Sequence, residues 1–365
     1  MDRIRISRKI TAAGCARFAG RGRAGVPWRP RGAGRAGSVA VVTAAVAAFG
    51  VPSAGQSAAL ASSSAVLNWT QQAPATSPPA RVAAPMAYDA ATGNVVLFGG
   101  LGNRSVLNGT WTWDGSTWTK QAPKTSPLAR ADASMAYDAA TGNVVLFGGE
   151  GRFGHILGGT WTWDGSTWTK QAPKTSPPVR GEASMAYDAA TGTVVLFGGD
   201  VGVQHFLGDT WTWDGSTWTK HAPKTSPSPR AGASMAYDAA TGNVVLFGGF
   251  NRPSIGGELG ATWTWNGSTW TKQAPNTSPS PRDDASMAYD AATGNVVLFG
   301  GGTAATDFGD TWTWDGSTWA KQAPATSPPA RRSASMAYDA ATATVVLFGG
   351  QGGTLLGDTW TWGSG

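Results

Sequence analysis

The stretch Met135-Ala-Tyr-Asp-Ala-Ala-Thr-Gly-Asn-Val-Val-Leu-Phe-Gly-Gly149 decides the fold, because its opening phrase occurs six times in the chain of 365 residues. The copies are separated by 49, 50, 50, 52 and 49 residues, and they begin at Met86, Met135, Met185, Met235, Met287 and Met336. A period near 50 residues is typical of β-propeller blades. Within one copy, short β-prone runs at 133–137 and 144–147 flank a polar turn, which predicts a hairpin.

A second hairpin is predicted in the remainder of the same unit. Thr160-Trp161-Thr162-Trp163 alternates with period two, Asp164-Gly165 supplies a turn, and Trp168 begins a fourth strand that runs to Gln171. A proline-rich connector over residues 172–180 then leads into the next unit. Each unit is therefore predicted to form four short antiparallel strands.

These features together resemble the kelch repeat. An apolar strand ends in Gly148-Gly149, an aromatic-Asp turn follows at Trp163-Asp164, and Trp168 comes next, although it is closer to Trp163 than in most kelch units. The resemblance covers residues 66–365 and is nearest to the central domain of galactose oxidase and to bacterial secreted proteins of that type. It implies an all-β, six-bladed β-propeller of four-stranded blades, with each first strand next to a central channel.

The two ends of the repeat region are complementary. The last unit stops after its third strand at Trp362, while Leu67-Asn68-Trp69-Thr70-Gln71-Gln72 matches the fourth strand of other units. We therefore expect this N-terminal strand to complete the C-terminal blade, which closes the ring and removes a sheet edge. The predicted organisation is a leader over residues 1–61 and one propeller over residues 62–365.

The formal charge of +6 comes from the leader. Ten of the 28 Lys and Arg residues precede residue 65, and the rest of the chain carries 18 basic and 21 acidic side chains. The propeller therefore lacks the basic surface that nucleic acid binding requires, and no nucleic acid partner is expected.

The leader itself resembles an export signal. Its arginines precede an apolar run from Val39 to Val51, followed by the small-x-small pattern Ala59-Leu60-Ala61. The run is too short for a stable membrane span, although a disordered basic arm is an alternative interpretation of the segment. The only cysteine, Cys15, lies in this leader, so the propeller contains no disulfide. These patterns predict a monomer that is secreted or held at the cell surface.

Sequence differences among the six units concentrate on one face of the predicted ring, here called the loop face. They fall in the pair after each connector arginine and in the loop between strands two and three, over residues 101–108, 150–158, 200–208, 250–260, 302–309 and 351–357. Loops on a rigid scaffold often carry binding function, although unconstrained drift would give the same pattern. The candidate binding residues are Arg104, Arg152, His155, His205, Arg252, Glu258, Asp307, Asp132, Glu182, Asp283 and Asp284.

Two classes of propeller enzyme, copper oxidases and sialidases, fit these residues poorly. A copper oxidase needs tyrosine and histidine ligands and a cysteine, but the propeller has no cysteine and all six tyrosines occupy one repeat position. The segment from Thr112 to Trp118 resembles the sialidase Asp-box, although it has one residue fewer between Asp and Gly. The Asp-box is a structural turn, so this resemblance bears on the fold rather than on catalysis. The repeated connector arginines, such as Arg130, are expected to pair with carbonyls or acids of neighbouring blades rather than with substrate.

A metal site is a weaker alternative. His155 and His205 occupy equivalent loops of adjacent blades, and Glu258 and Asp307 lie in the next two, so the four could hold a divalent ion. Ordinary solvated loop residues are the favoured interpretation, and no cofactor or catalytic residue is predicted. The hypothesis is an exported, non-catalytic scaffold for an unknown protein or glycan; the alternative is a glycan-acting hydrolase or metal-dependent enzyme with its site on the loop face.

Overall fold

A computed structural model describes residues 66–202, 205–251 and 257–364. Within these ranges the chain forms a ring of six four-stranded antiparallel sheets, which confirms the predicted six-bladed all-β propeller. The described ranges contain one helical segment, the 3-10 turn Arg152–Gly154. None of their helices is long and apolar enough to span a bilayer. The predicted leader, residues 1–61, lies outside the described residues.

The strands follow the repeat closely. The chain begins with β1 (Leu67–Gln72), and blades 1 to 3 consist of β2 (Met86–Asp89), β3 (Asn94–Phe98), β4 (Thr110–Trp113), β5 (Trp118–Lys120); β6 (Ser134–Asp138), β7 (Asn143–Phe147), β8 (Thr160–Trp163), β9 (Trp168–Lys170); and β10 (Ser184–Asp188), β11 (Thr193–Phe197), β12 (Thr210–Trp213), β13 (Trp218–His221). Blades 4 to 6 consist of β14 (Ala231–Asp238), β15 (Asn243–Phe250), β16 (Thr262–Trp265), β17 (Trp270–Lys272); β18 (Ser286–Asp290), β19 (Asn295–Phe299), β20 (Thr311–Trp314), β21 (Trp319–Lys321); and β22 (Ser335–Asp339), β23 (Thr344–Phe348), a minor hairpin of β24 (Gln351–Gly352) and β25 (Thr354–Leu355), and β26 (Thr359–Ser364).

Aspartates fix the hairpin turns, and the one in the first hairpin is buried whereas the one in the second is exposed. Asp138 Oδ1 accepts a hydrogen bond from the backbone N–H of Ala140, and its Oδ2 accepts one from Thr141 Oγ1 at 2.9 Å. In the second hairpin, Asp164 Oδ1 accepts from the N–H groups of Ser166 and Thr167. Such local side-chain bonds favour turns over extended chain. Both turns lie on the face opposite the loop face, called the turn face below.

Each blade is apolar on both sides because it packs between two neighbours. In β7, Val144 and Leu146 face blade 1, whereas Val145 and Phe147 face blade 3. This explains why the second strand is a continuous apolar run rather than an alternating one. Trp168 joins the outer strand of blade 2 to blade 1, because its Nε1 donates a hydrogen bond to Thr110 Oγ1 at 2.9 Å.

The predicted ring closure is confirmed. All six residues of β1 pair antiparallel with β26, so the N-terminal strand is the outer strand of blade 6. Trp69 is fully buried, its Nε1 donates to Thr311 Oγ1 of blade 5 at 2.9 Å, and its ring contacts Phe299. The N-terminal strand thus links blade 5 to blade 6 in the same way that Trp168 links blade 1 to blade 2.

Candidate functional site

The connector arginines join neighbouring blades and are not available to a substrate. Arg130 donates its N–H to Leu107 and its carbonyl accepts from Gly100, both of blade 1, while its Nη1 donates to the Gly148 carbonyl of blade 2 at 2.7 Å. The same bonds occur at every connector, and the side chains are all buried: Arg81, Arg130, Arg180, Arg230, Arg282 and Arg331. The predicted structural role of this ring is therefore confirmed.

Only some of these arginines have a carboxylate partner. Arg180, Arg282 and Arg331 pair with Asp209, Asp310 and Asp358 respectively. Burial alone would raise the pKa of each aspartate, but the hydrogen bonds and charge of its arginine outweigh burial and lower it. No such partner is found for the other three among the described residues, and burial lowers the pKa to about 10 for Arg81, Arg130 and Arg230.

Ala261→Asp should stabilise the protein. Ala261 stands where other blades have Asp209 or Asp310, close to Arg230, and the buried Nε1 of Trp263 has no hydrogen-bond partner in the described part of the chain. In blade 3 the equivalent Trp211 Nε1 donates to Asp209 at 2.7 Å. A carboxylate at 261 would accept from both groups, so we expect a gain of about 1 kcal/mol in unfolding free energy at pH 7.

The gain from Ala261→Asp should depend on pH. The folded pKa of the new carboxyl would be depressed, as it is for Asp209, so the gain is present above the unfolded value of about 4 and is lost as pH falls through the folded pKa. Urea unfolding at pH 7 and at lower pH measures this difference. Ala261→Asn is the control because it keeps the shape without the charge. An equal effect of both variants would contradict the ion pair.

A closed ring of backbone hydrogen bonds surrounds the central channel on the loop-face side. The second residue after each connector arginine donates its N–H to the carbonyl of the equivalent residue in the preceding blade, at 2.8–3.1 Å. All six have positive φ between 49° and 61°. This channel ring consists of Ala83, Asp132, Glu182, Gly232, Asp284 and Ser333. The chain thus presents six side-chain positions in one circle, and three of them carry carboxyl groups.

The channel ring forms part of a cavity that opens on the loop face. Its volume is about 720 Å³, and its wall includes residues from the loops of blades 1, 2, 4, 5 and 6. A narrower space of about 160 Å³ continues from the ring along the first strands. This loop-face cavity is therefore the place where residues that differ between blades face one common volume.

The described wall of the cavity is acidic. Asp132, Glu150, Glu182 and Asp284 line it, in addition to Asp307, which is paired with Arg332. Burial, followed by repulsion from the neighbouring carboxylates, raises the pKa of Asp132 and Glu182 well above their usual values. Burial and the charge of Asp200 also raise the pKa of Glu150. Carboxyl groups held this close together favour a cation, whose charge would relieve their mutual repulsion.

The structure brings some predicted site residues together and leaves others apart. Asp132, Glu182, Asp284 and Asp307 line the cavity, and the buried Asp283 lies 4.0 Å from Arg332. Glu258 accepts a hydrogen bond from the N–H of Ala304, which joins the loops of blades 4 and 5. The remaining described candidates are exposed on the loops and do not line the cavity: Arg104, Arg152, His155 and His205. Arg252 lies outside the described residues.

Sequence reasoning did not single out three residues of the cavity wall. Glu150, Phe250 and Arg332 line it, and all three occupy positions that differ between the blades. Glu150 and Phe250 are the first residues of their loops, and Arg332 is the first of the pair after Arg331. The first residue of a loop pairs with the first residue after the connector arginine, as Glu150 does with Ala131, and this pairing holds both positions at the cavity. Variation at these two repeat positions was therefore the sequence feature that could have identified the three residues.

No metal centre is found among residues 66–202, 205–251 and 257–364, where no group of three or more His, Cys, Asp or Glu side chains could hold an ion. Asp307 is engaged by Arg332, and Glu258 by the backbone of Ala304. Both acidic members of the considered metal set therefore have other partners, and His155 and His205 are exposed.

Comparison with known proteins agrees with this architecture. Residues 216–362 match the KLHDC2/KLHL20/DRC7 Kelch-repeats domain. No match was found among curated proteins. The matched residues run from the end of blade 3 through blade 6, and blades 1 to 3 repeat the same sequence and the same four-stranded sheet. The chain is therefore a six-bladed β-propeller with a kelch-repeat domain matched over residues 216–362.

Proposed function

We propose that the chain is a non-catalytic interaction module that binds a partner protein in the loop-face cavity. Kelch-repeat propellers generally serve as protein-binding scaffolds, which supports the class of function. The observation that carries the proposal is the cavity of about 720 Å³, because its wall contains the residues that differ between otherwise equal blades. A concave site on a rigid scaffold is the usual form of a binding site.

A protein partner fits the surface better than a glycan. Sugars are commonly held by exposed aromatic rings, but each tryptophan of the described residues lies in a blade and is buried or half-buried. Twelve of them are among the fully buried side chains, and their rings pack between blades. The tryptophan rings are therefore engaged in contacts between blades, whereas the cavity wall carries carboxyl groups.

Filling the mouth of the cavity should abolish binding. Ala305 is exposed and lines the cavity, so Ala305→Trp places a bulky side chain in it without disturbing a sheet. The matched control is Ala139→Trp, an exposed alanine in a hairpin turn of the turn face. The full chain is first panned against a displayed library of random short peptides, and each enriched peptide is then tested by fluorescence anisotropy. We expect Ala305→Trp to weaken binding about tenfold or more and Ala139→Trp to leave it unchanged.

Two results would contradict the proposal. One is equal binding of the enriched peptides to wild type and Ala305→Trp. The other is an absence of peptide binding together with specific binding on a glycan array. That result would favour a glycan ligand and the alternative of a glycan-acting hydrolase.

We also propose that the module is exported. The basic start of the chain, the apolar run over 39–51 and Ala59-Leu60-Ala61 support this location. Expression of the full chain in a secreting host, with mass spectrometry of the N-terminus, tests it. A mature start close to residue 61 in the medium is expected, whereas an uncleaved chain retained inside the cell would contradict export.

A further inference from the structure

An exposed apolar patch flanks the loop of blade 2. Four large apolar side chains of the described residues are exposed, and three of them are Leu128 (70% exposed), Phe153 (83%) and Val179 (48%). Val179 is adjacent to one end of the loop, since a Cβ at Gly158 would lie 3.0 Å from Val179 Cγ1. Leu128 is next to Ala129, whose carbonyl lies beside Gly151 at the other end. Exposed apolar side chains in and beside one loop are typical of interaction surfaces.

Phe153 adopts a conformation that its residue type disfavours. Its φ is 59° and its ψ is 26°, in the left-handed region, where a bulky residue is rare. The other described non-glycine residues with positive φ belong to the channel ring, apart from Ala343 in a hairpin turn. Backbone strain of this kind is concentrated at binding and catalytic sites. The loop of blade 2 thus holds an aromatic ring out into solvent in spite of an unfavourable backbone conformation.

The patch adjoins the acidic cavity. Glu150 and Gly151 line the cavity wall, and the exposed Phe153 follows two residues later in the same loop. Inside the cavity, Glu182 lines both the main volume and the narrower space of the channel. Its Oε2 is buried and has no hydrogen-bond partner within the described residues. Leaving a buried carboxylate oxygen without a donor is unfavourable, so this atom calls for a donor from outside the chain.

We propose that the partner segment inserts a lysine or arginine side chain into the cavity, where it pairs with Glu182, and lays a nearby large apolar side chain on Leu128, Phe153 and Val179. This inference rests on the proposed function and specifies the chemistry of the partner. Charge complementarity supports it, because four carboxyl groups line the cavity in addition to the Asp307–Arg332 pair. Aromatic residues and arginine are enriched at the centre of protein interfaces, which fits a basic group paired with Glu182 beside the exposed Phe153.

The test uses the peptides that the full chain enriches from the random library. We expect them to contain Lys or Arg close in sequence to a large apolar residue, and we expect binding to weaken as salt rises. Glu182→Gln should weaken binding about 30-fold, because it removes the carboxylate but keeps the side-chain shape. Phe153→Ala should weaken it roughly tenfold.

The control is Asp214→Asn, which removes one negative charge from a hairpin turn of the turn face. Blade 4 carries Asn266 at this position and makes the same backbone bonds, so the variant should fold and bind like wild type. Thermal melting of each variant shows whether it is folded. If Glu182→Gln does not fold, Glu150→Gln replaces it, since it removes a second carboxylate from the same wall.

The outcomes separate this inference from the function on which it rests. Peptides that lose binding with Ala305→Trp but lack a basic residue, or bind Glu182→Gln and Glu150→Gln as tightly as wild type, would overturn the inference and leave the interaction module standing. Peptides that ignore Ala305→Trp would overturn both. Loss of binding with Glu182→Gln and Phe153→Ala, but not with Asp214→Asn, supports the inference.

Discussion

A chain that begins at Ala73 should melt on the order of 10 °C below a chain that begins at residue 62. The truncation removes β1 and with it Trp69, which is fully buried between blades 5 and 6. Loss of a buried tryptophan alone costs about 3–5 kcal/mol, and about 1 kcal/mol shifts the melting temperature of a large domain by roughly 2–4 °C. The truncation also exposes Phe299 and the edge of β26. Differential scanning calorimetry of the two chains measures the shift.

A circular permutant provides the matched control. Trp362 pairs with Trp69 as Trp163 pairs with Trp168, and in blade 2 the residues Asp-Gly-Ser-Thr connect that pair. The same four residues can join Trp362 directly to Trp69, so that the chain starts at Ala73 and ends at Gln72. This permutant keeps the outer strand in place and should regain most of the lost stability. An unchanged melting temperature after truncation, or no recovery in the permutant, would contradict the closure of the ring by β1.

Gly248→Ala, in the first hairpin of blade 4, should destabilise the protein by about 2–5 kcal/mol. Gly248 has φ of +72°, and a Cβ there would lie 2.5 Å from the carbonyl oxygen of Arg282. That carbonyl accepts the hydrogen bond of Gly249, which links blade 4 to the next connector. The substitution therefore adds backbone strain and also separates two blades. Urea unfolding followed by tryptophan fluorescence measures the loss.

Gly242→Ala in the same hairpin separates these two effects. Gly242 has φ of +70°, nearly the value of Gly248, but nothing lies within 4 Å of a Cβ at this position. Blade 6 already carries Ala343 at the equivalent turn, with φ of 54°. We therefore expect Gly242→Ala to cost about 1 kcal/mol, from backbone strain alone. Equal losses for the two variants would show that the approach of the Arg282 carbonyl does not matter.

The fold could be predicted from the sequence because architecture and repetition coincide. The recurrence of Met135 and its equivalents fixed the number of blades, and the match of Trp69 to Trp168 fixed the closure. Strand limits agreed to within one residue in blade 2, where the fourth strand ends at Lys170 instead of Gln171. Equivalent residues are buried in every blade, so each unit shows the same apolar pattern. The six copies therefore gave six independent indications of the same blade structure.

The binding site was less accessible to sequence reasoning. The loop face followed from the topology, but the loops fold back on themselves, as the pairing of Glu150 with Ile156 shows. Residues at loop starts therefore reach the cavity, and blade 5 adds the loop-tip residue Ala305, whereas His155 in blade 2 is exposed and does not line the cavity. The positive φ of Asp132 and Glu182 also left no signal, because neither residue type indicates a left-handed backbone in the way that glycine does.

The channel ring has a consequence for how such a protein can diversify. Main-chain atoms make all six of its hydrogen bonds, so the closure of the ring does not depend on which side chains the six positions carry. Only Gly232 avoids the strain of a left-handed backbone, and the other five positions hold alanine, aspartate, glutamate or serine. The side chains at these six positions can therefore be exchanged without breaking the ring of backbone hydrogen bonds. New specificities can arise there by single substitutions while the blades that carry them stay unchanged.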